Sequence, residues 1–164
     1  ESGPTRLLVT HGRAAEAVKS IFKHENDPFP ASMGHSSLSI SYLPALTQLD
    51  YDPLLWACDL NFVRGEDSLV RALWAGRPFV WQIYPQDDGA HHAKLDAFLD
   101  WLDAPASLRQ FHHAWNGLAD PGGARWPGAP ELKVWAVCAQ AARSRLFAQD
   151  DLVSQLLGFV GKNR

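Results

Sequence analysis

Asp59-Leu-Asn-Phe-Val-Arg64-Gly65-Glu66-Asp67-Ser68-Leu-Val-Arg71-Ala-Leu-Trp-Ala-Gly76-Arg-Pro78-Phe-Val-Trp-Gln-Ile-Tyr84-Pro-Gln-Asp87 reads as strand, turn, helix, turn, strand and turn. The apolar run at 60–63 fits a buried strand, and Arg64-Gly65 stops it. Glu66, Asp67 and Ser68 then offer side-chain oxygens to cap a helix. Leu69, Val70, Leu73 and Trp74 make an apolar face at helical spacing, closed by Gly76 and Pro78. Residues 79–83 form a second buried strand, ending in a polar turn at 84–89. Two strands joined through a helix lie parallel, which puts both polar turns at one carboxyl edge, where open parallel sheets bind ligands.

The turn before the helix has a plain chemical use. The amides of Gly65 to Ser68 form a helix N-terminus, which carries roughly half a positive charge and suits a phosphate. Arg64 adds a fork of donors able to grip a diphosphate. The competing reading is purely structural: Arg64 pairs with Glu66 or Asp67, and the acids only cap the helix.

The pattern Gly65-x-x-Ser68-x-x-Arg71-Ala-Leu-x-x-Gly76-x-Pro78, followed by Pro85-x-Asp87-Asp88, resembles the donor-binding motif in the C-terminal domain of GT-B glycosyltransferases. Arg71 stands where that motif usually carries an acid. The longer run Cys58-Asp-Leu-Asn-Phe-Val-Arg64-Gly-Glu-Asp-Ser68, with Trp81-Gln-Ile-Tyr84-Pro-Gln-Asp-Asp-Gly-Ala-His91, is more diagnostic. It resembles the bacterial elongation factor P arginine rhamnosyltransferases, the EarP family, most strongly over residues 43–99.

That resemblance implies an inverting transfer of L-rhamnose from dTDP-β-L-rhamnose to an arginine of elongation factor P. It implies donor contacts from Gln48, Tyr51, Arg64, Gly65, Glu66, Asp67, Ser68, Tyr84, Gln86 and Asp87. Tyr51 matches the aromatic that stacks on the thymine, and Gln48 is a secondary candidate for bonding the base. The Tyr84 hydroxyl is expected at a phosphate oxygen. Glu66 and Asp67 are the catalytic candidates in orienting roles, because like charge keeps them off phosphate; they bond sugar or ribose hydroxyls or position the acceptor guanidinium. The family takes its general base from another, N-terminal domain, so the chain is read as the C-terminal half of a two-domain enzyme. In the GT-B arrangement the last helix braces that other domain, which leaves apolar surface on this half.

The remaining sequence sets bounds on these expectations. A chain of 164 residues with 46% hydrophobic content predicts one compact domain spanning 1–164. Net charge −3 and a pI near 6.1 argue against a nucleic-acid surface. Two cysteines, Cys58 and Cys138, make no disulfide framework, which fits a reducing cytoplasm. No apolar run approaches a membrane span, so no membrane partner is expected. The pairs His91-His92 and His112-His113 each point about 100° apart on a helix. With no Cys or carboxylate at suitable spacing, they are read as surface or capping residues; no metal and no cofactor is expected.

Upstream, residues 7–10 read as a strand, the His11-Gly12-Arg13 turn leads to a helix, 23–36 is loop, and 38–43 is a strand. Pro53 is expected to break 45–58 into a helical turn at 46–49 and a short helix capped by Asp52, with Tyr51 exposed in the break. Downstream, helices are expected at 89–103, from Asp103-Ala-Pro105 to Asn116, at 131–148, and at 152–160 behind Asp150-Asp151. The order βαβαβα followed by helices predicts a Rossmann-like, doubly wound parallel α/β domain with extra C-terminal helices. Two other functions fit the same pattern: a nucleotide-sugar binding or regulatory module, and a GT-B-type nucleotide-sugar epimerase.

Overall fold

The computed structural model describes residues 4–21, 38–120, 122 and 125–162. Length predicts a single core, and the chain groups into two compact units, Glu1–Pro53 and Leu54–Arg164. The described residues make a mixed α/β fold with parallel strands and seven helices.

The first unit holds β1 (Thr5–Val9), α1 (Arg13–Ile21) and β2 (Leu38–Tyr42). β1 and β2 pair in parallel, with Thr5 opposite Leu38 and Val9 opposite Tyr42. The expected loop at 23–36 lies outside the described residues. After β2 comes α2 (Gln48–Ala57), and here the expectation of a break is corrected: Pro53 sits inside one helix. Thr47 starts that helix firmly, its Oγ1 accepting from the Asp50 amide at 3.2 Å and donating to Asp50 Oδ2 at 2.6 Å. Pro53 removes only the bond to the Leu49 carbonyl, and Leu49 is exposed, where water replaces the lost partner.

The second unit runs β3 (Asn61–Arg64), α3 (Glu66–Ala75), β4 (Phe79–Gln82), α4 (Ala90–Leu102), α5 (Ala106–Trp115), α6 (Ala129–Phe147) and α7 (Leu152–Lys162). β3 and β4 are parallel, with Asn61 opposite Phe79 and Arg64 opposite Gln82. The core takes Leu69, Ala72 and Leu73 from α3, Leu95, Leu99 and Leu102 from α4, Leu108 and Phe111 from α5, and Trp135, Ala139 and Ala142 from α6. Each fully buried leucine contributes about 1.5–3 kcal/mol over an exposed one. Two members of the face predicted for α3 do not join it: Val70 and Trp74 are exposed, and Trp74 packs edge-on against Phe147. Cys58 and Cys138 are free thiols, pushed up in pKa chiefly by burial.

Among the described residues each unit holds one two-stranded parallel ladder, β1–β2 in the first and β3–β4 in the second. In the second ladder the outer edge of β4 is occupied by α5. The Trp81 amide donates to His112 Nε2 at 3.1 Å, the Ile83 amide donates to Asn116 Oδ1 at 3.0 Å, and Asn116 Nδ2 donates to the Trp81 carbonyl at 2.9 Å. Two side chains one helical turn apart thus do the work of a neighbouring strand. The surface or capping role expected for the histidines is corrected for one of each pair: His112 is wholly buried, and buried His91 accepts the Gln86 amide at Nδ1, while His92 is exposed.

Asp151 opens α7 by accepting from the amides of Val153 and Ser154. No residue of α7 is buried, and Leu152, Leu156, Leu157, Phe159 and Val160 stand exposed. No helix among the described residues is long and apolar enough to cross a membrane.

Candidate donor-binding site

β3 delivers Arg64 to its carboxyl end, and the Gly65 amide extends the ladder by donating to the Gln82 carbonyl at 3.2 Å. Gly65 then turns the chain with φ 75° and ψ 172°, a region open essentially to glycine alone. The helix begins at once with Glu66, so Gly65 is the N-cap and no side chain caps α3. This corrects the capping role expected of Glu66, Asp67 and Ser68. They occupy the first helical turn, and their amides have no helical acceptor.

Three residues support the turn from β4 and beyond. Trp81, 1% exposed, donates its indole Nε1–H to the Gly65 carbonyl at 3.1 Å. Tyr84 lays its ring against Gly65, where an added Cβ would stand 2.8 Å from Cε2. Lys94 reaches from α4 to Glu66 Oε1 at 2.8 Å while its ammonium lies 5.8 Å from the centre of the Trp81 ring. The hydrogen bond from Lys94 holds the Glu66 carboxyl below its ordinary pKa, so it is an ionised acceptor at neutral pH.

Arg64 does not take the structural role of pairing with Glu66 or Asp67. Its guanidinium lies 5.0 Å over the Tyr84 ring, and among the described residues it makes no ion pair. Arg64 and Asp67 are exposed and Ser68 is half-buried. Arg64, Gly65, Glu66 and Tyr84 are therefore brought together with the open amides. Gln86 and Asp87 lie further along the exposed loop after β4, and among the described residues their side chains make no hydrogen bond to the turn.

Gln48 and Tyr51 belong to the first unit, where they line a cleft of about 300 Å³ with Thr10, His11, Leu46 and Thr47. Tyr51 is half-buried on α2 rather than exposed in a break. A partly apolar cleft with an aromatic wall and amide, hydroxyl and imidazole groups suits a flat heterocycle. The sequence reading gave Thr10, His11 and Thr47 no such place, although the His11-Gly12 turn marked the spot. Local pattern gives Trp81 and Lys94 no part in the turn either. Trp81 lies inside the quoted run, whereas nothing in the local pattern links Lys94 to a residue 28 positions away. Among the described residues no group of three or more His, Cys, Asp or Glu could hold a metal ion.

Chemically, the turn offers donors on a helix N-terminus, a fixed cation beside them and an ionised carboxylate held to one side. The family model described as elongation factor P (EF-P) rhamnosyltransferase EarP matches residues 1–161. A protein-arginine rhamnosyltransferase of Pseudomonas aeruginosa is 40% identical over 163 residues, covering 95% of this chain and 43% of that protein. One from Neisseria meningitidis serogroup B is 49% identical, covering 98% of this chain and 44% of that protein. A solved structure described as the structural basis for EarP-mediated arginine glycosylation of translation elongation factor EF-P superposes with a TM-score of 0.72 at 33% identity, over 100% of this chain and 54% of that one. The chain thus spans less than half the length of these curated relatives.

Proposed function

This chain belongs to the EarP family of elongation factor P rhamnosyltransferases, and we propose from that membership that it is the donor-binding half of an inverting protein-arginine rhamnosyltransferase. The proposed donor is dTDP-β-L-rhamnose and the proposed acceptor an arginine of elongation factor P, in the cytoplasm, with no metal or other cofactor. The Rossmann-like, GT-B reading of the fold is part of the same proposal, supported by two β-α-β units, each with parallel strands.

The observation that carries the reading is the uncapped start of α3 behind Gly65, with Arg64 beside it. In the proposed reaction an acceptor guanidinium nitrogen attacks the anomeric carbon opposite the diphosphate. The new C–N bond forms as the bond from that carbon to the phosphate oxygen breaks. Electrons pass to the leaving diphosphate, which the amides of Glu66 to Ser68 and the Arg64 guanidinium stabilise. The nitrogen's proton goes to a general base assigned to the part of the enzyme outside this chain. Glu66 and Asp67 orient sugar hydroxyls or the guanidinium, and the Tyr84 hydroxyl serves a phosphate oxygen. Tyr51, with Gln48, is assigned the thymine. Gln86 and Asp87 are the outlying members of the donor set.

The test is to incubate the complete enzyme with donor and acceptor and to map any deoxyhexose on the acceptor by mass spectrometry. Modification at one arginine supports the reading; a chemically altered nucleotide sugar with an unmodified acceptor would establish an epimerase instead.

A further inference from the structure

We propose that Lys94 is a positioning residue of the donor site: from α4 it anchors and neutralises the Glu66 carboxylate, so that a diphosphate can approach the open amides of α3. The inference rests on the donor reading of that turn and adds a residue to it. Glu66 occupies the first position of α3, and left alone its negative charge lies beside the amides a diphosphate needs. An uncompensated carboxylate there repels the ligand, and the helix dipole draws the carboxylate towards the same amides. Lys94 offsets that charge with one 2.8 Å contact and draws the carboxylate towards α4, although its bond with the Glu66 amide persists.

The placement of Lys94 is built, although both partners are about half exposed. Its ammonium lies over the face of Trp81, and that indole is buried and tied through Nε1 to the Gly65 carbonyl. One rigid ring therefore fixes the backbone of the turn and the cation that serves it. An exposed ion pair adds little to stability, so the pair matters for local charge and direction rather than for folding. The Glu66 carboxyl, kept below its ordinary pKa first of all by the Lys94 hydrogen bond, agrees with this geometry.

The experiment measures thymidine diphosphate affinity by calorimetry in the complete enzyme, comparing wild type, Lys94→Met, Lys94→Arg, Glu66→Gln and the Lys94→Met/Glu66→Gln double variant. Lys94→Met should weaken binding about tenfold at low salt, Lys94→Arg should stay near wild type, and the double variant should bind like Glu66→Gln, because the charge to be neutralised is gone. A side-chain carbon NMR titration should also show the Glu66 pKa rising in Lys94→Met. Unchanged affinity in Lys94→Met overturns the proposal, and so does a loss that Glu66→Gln leaves in place, which would make Lys94 a direct phosphate ligand. If wild type binds no nucleoside diphosphate, the donor reading itself falls, an outcome distinct from wild type and Lys94→Met binding alike.

Discussion

The ring of Tyr84 closes over Gly65 so tightly that a Cβ on Gly65 would stand 2.8 Å from Cε2 and 3.0 Å from the hydroxyl oxygen. Two separate demands therefore fall on Gly65: a backbone region closed to other residues, and a side chain of no more than hydrogen. Gly65→Ala should lower stability by about 1–3 kcal/mol through backbone strain, with a further steric part. In a Tyr84→Ala background the steric part disappears and only the strain remains. Chemical denaturation of the four variants checks this; an equal penalty in both backgrounds would show that the ring yields freely.

Arg64 shares the same ring, its guanidinium lying 5.0 Å above it. That contact holds the guanidinium beside the turn. Arg64→Ala in the complete enzyme should weaken donor binding by about 1.5–3 kcal/mol, the range for hydrogen bonds to charged groups. Arg64→Lys should recover only part of this, since an ammonium cannot bind two oxygens in a fork. Full recovery in a titration with thymidine diphosphate would reduce the role of Arg64 to bulk charge.

His112 shows how far a sequence can be read. The β3-α3-β4 unit was legible because strand and helix periodicities, Gly65 and Gly76 are all local signals. The two glycines took their expected turns, at φ 75° and 64°. What His112 does depends on Trp81, 31 residues earlier, whose amide needs an acceptor that no spacing rule announces. Lys94 eluded the reading for the same reason. The break expected at Pro53 overstated a local rule, because one missing hydrogen bond at an exposed turn is outweighed by the Thr47–Asp50 cap. Nor does an alternation of strands and helices say what covers a strand's edge; here α5 takes the outer edge of β4.

Burial lowers the His112 pKa from 6.5 to about 4, with smaller contributions in the same direction from neighbouring His113 and Arg109, against the raising effect of the Leu108 carbonyl. The unfolded chain binds a proton below pH 6.5 and the folded chain only near pH 4. Stability from neutral His112 is therefore complete above pH 6.5 and is lost as pH falls towards 4, by about 3 kcal/mol. His112→Gln should flatten this part of the stability profile at some cost at neutral pH. Urea denaturation between pH 4 and 7 decides: parallel profiles for the two proteins would mean that His112 titrates freely when folded.

The chain by itself carries two of the proposed donor contact regions. It offers open amides with Arg64 and, in its first unit, an aromatic cleft at Tyr51, so thymidine diphosphate should shift the amide resonances of Gly65 to Ser68 and the rings of Tyr51 and Tyr84 more than uridine or adenosine diphosphate does. Transfer also needs a base strong enough to take a proton from the acceptor nitrogen. Glu66, held by Lys94 below its ordinary pKa, is a weakened base, and Asp67 follows it in the first turn of α3. Both should therefore orient substrates rather than deprotonate them. This chain mixed with donor and elongation factor P should bind nucleotide weakly, since a cleft closed on one side excludes water poorly, and should transfer no sugar. A deoxyhexose increment on the acceptor would place the base within these 164 residues and overturn the division of roles.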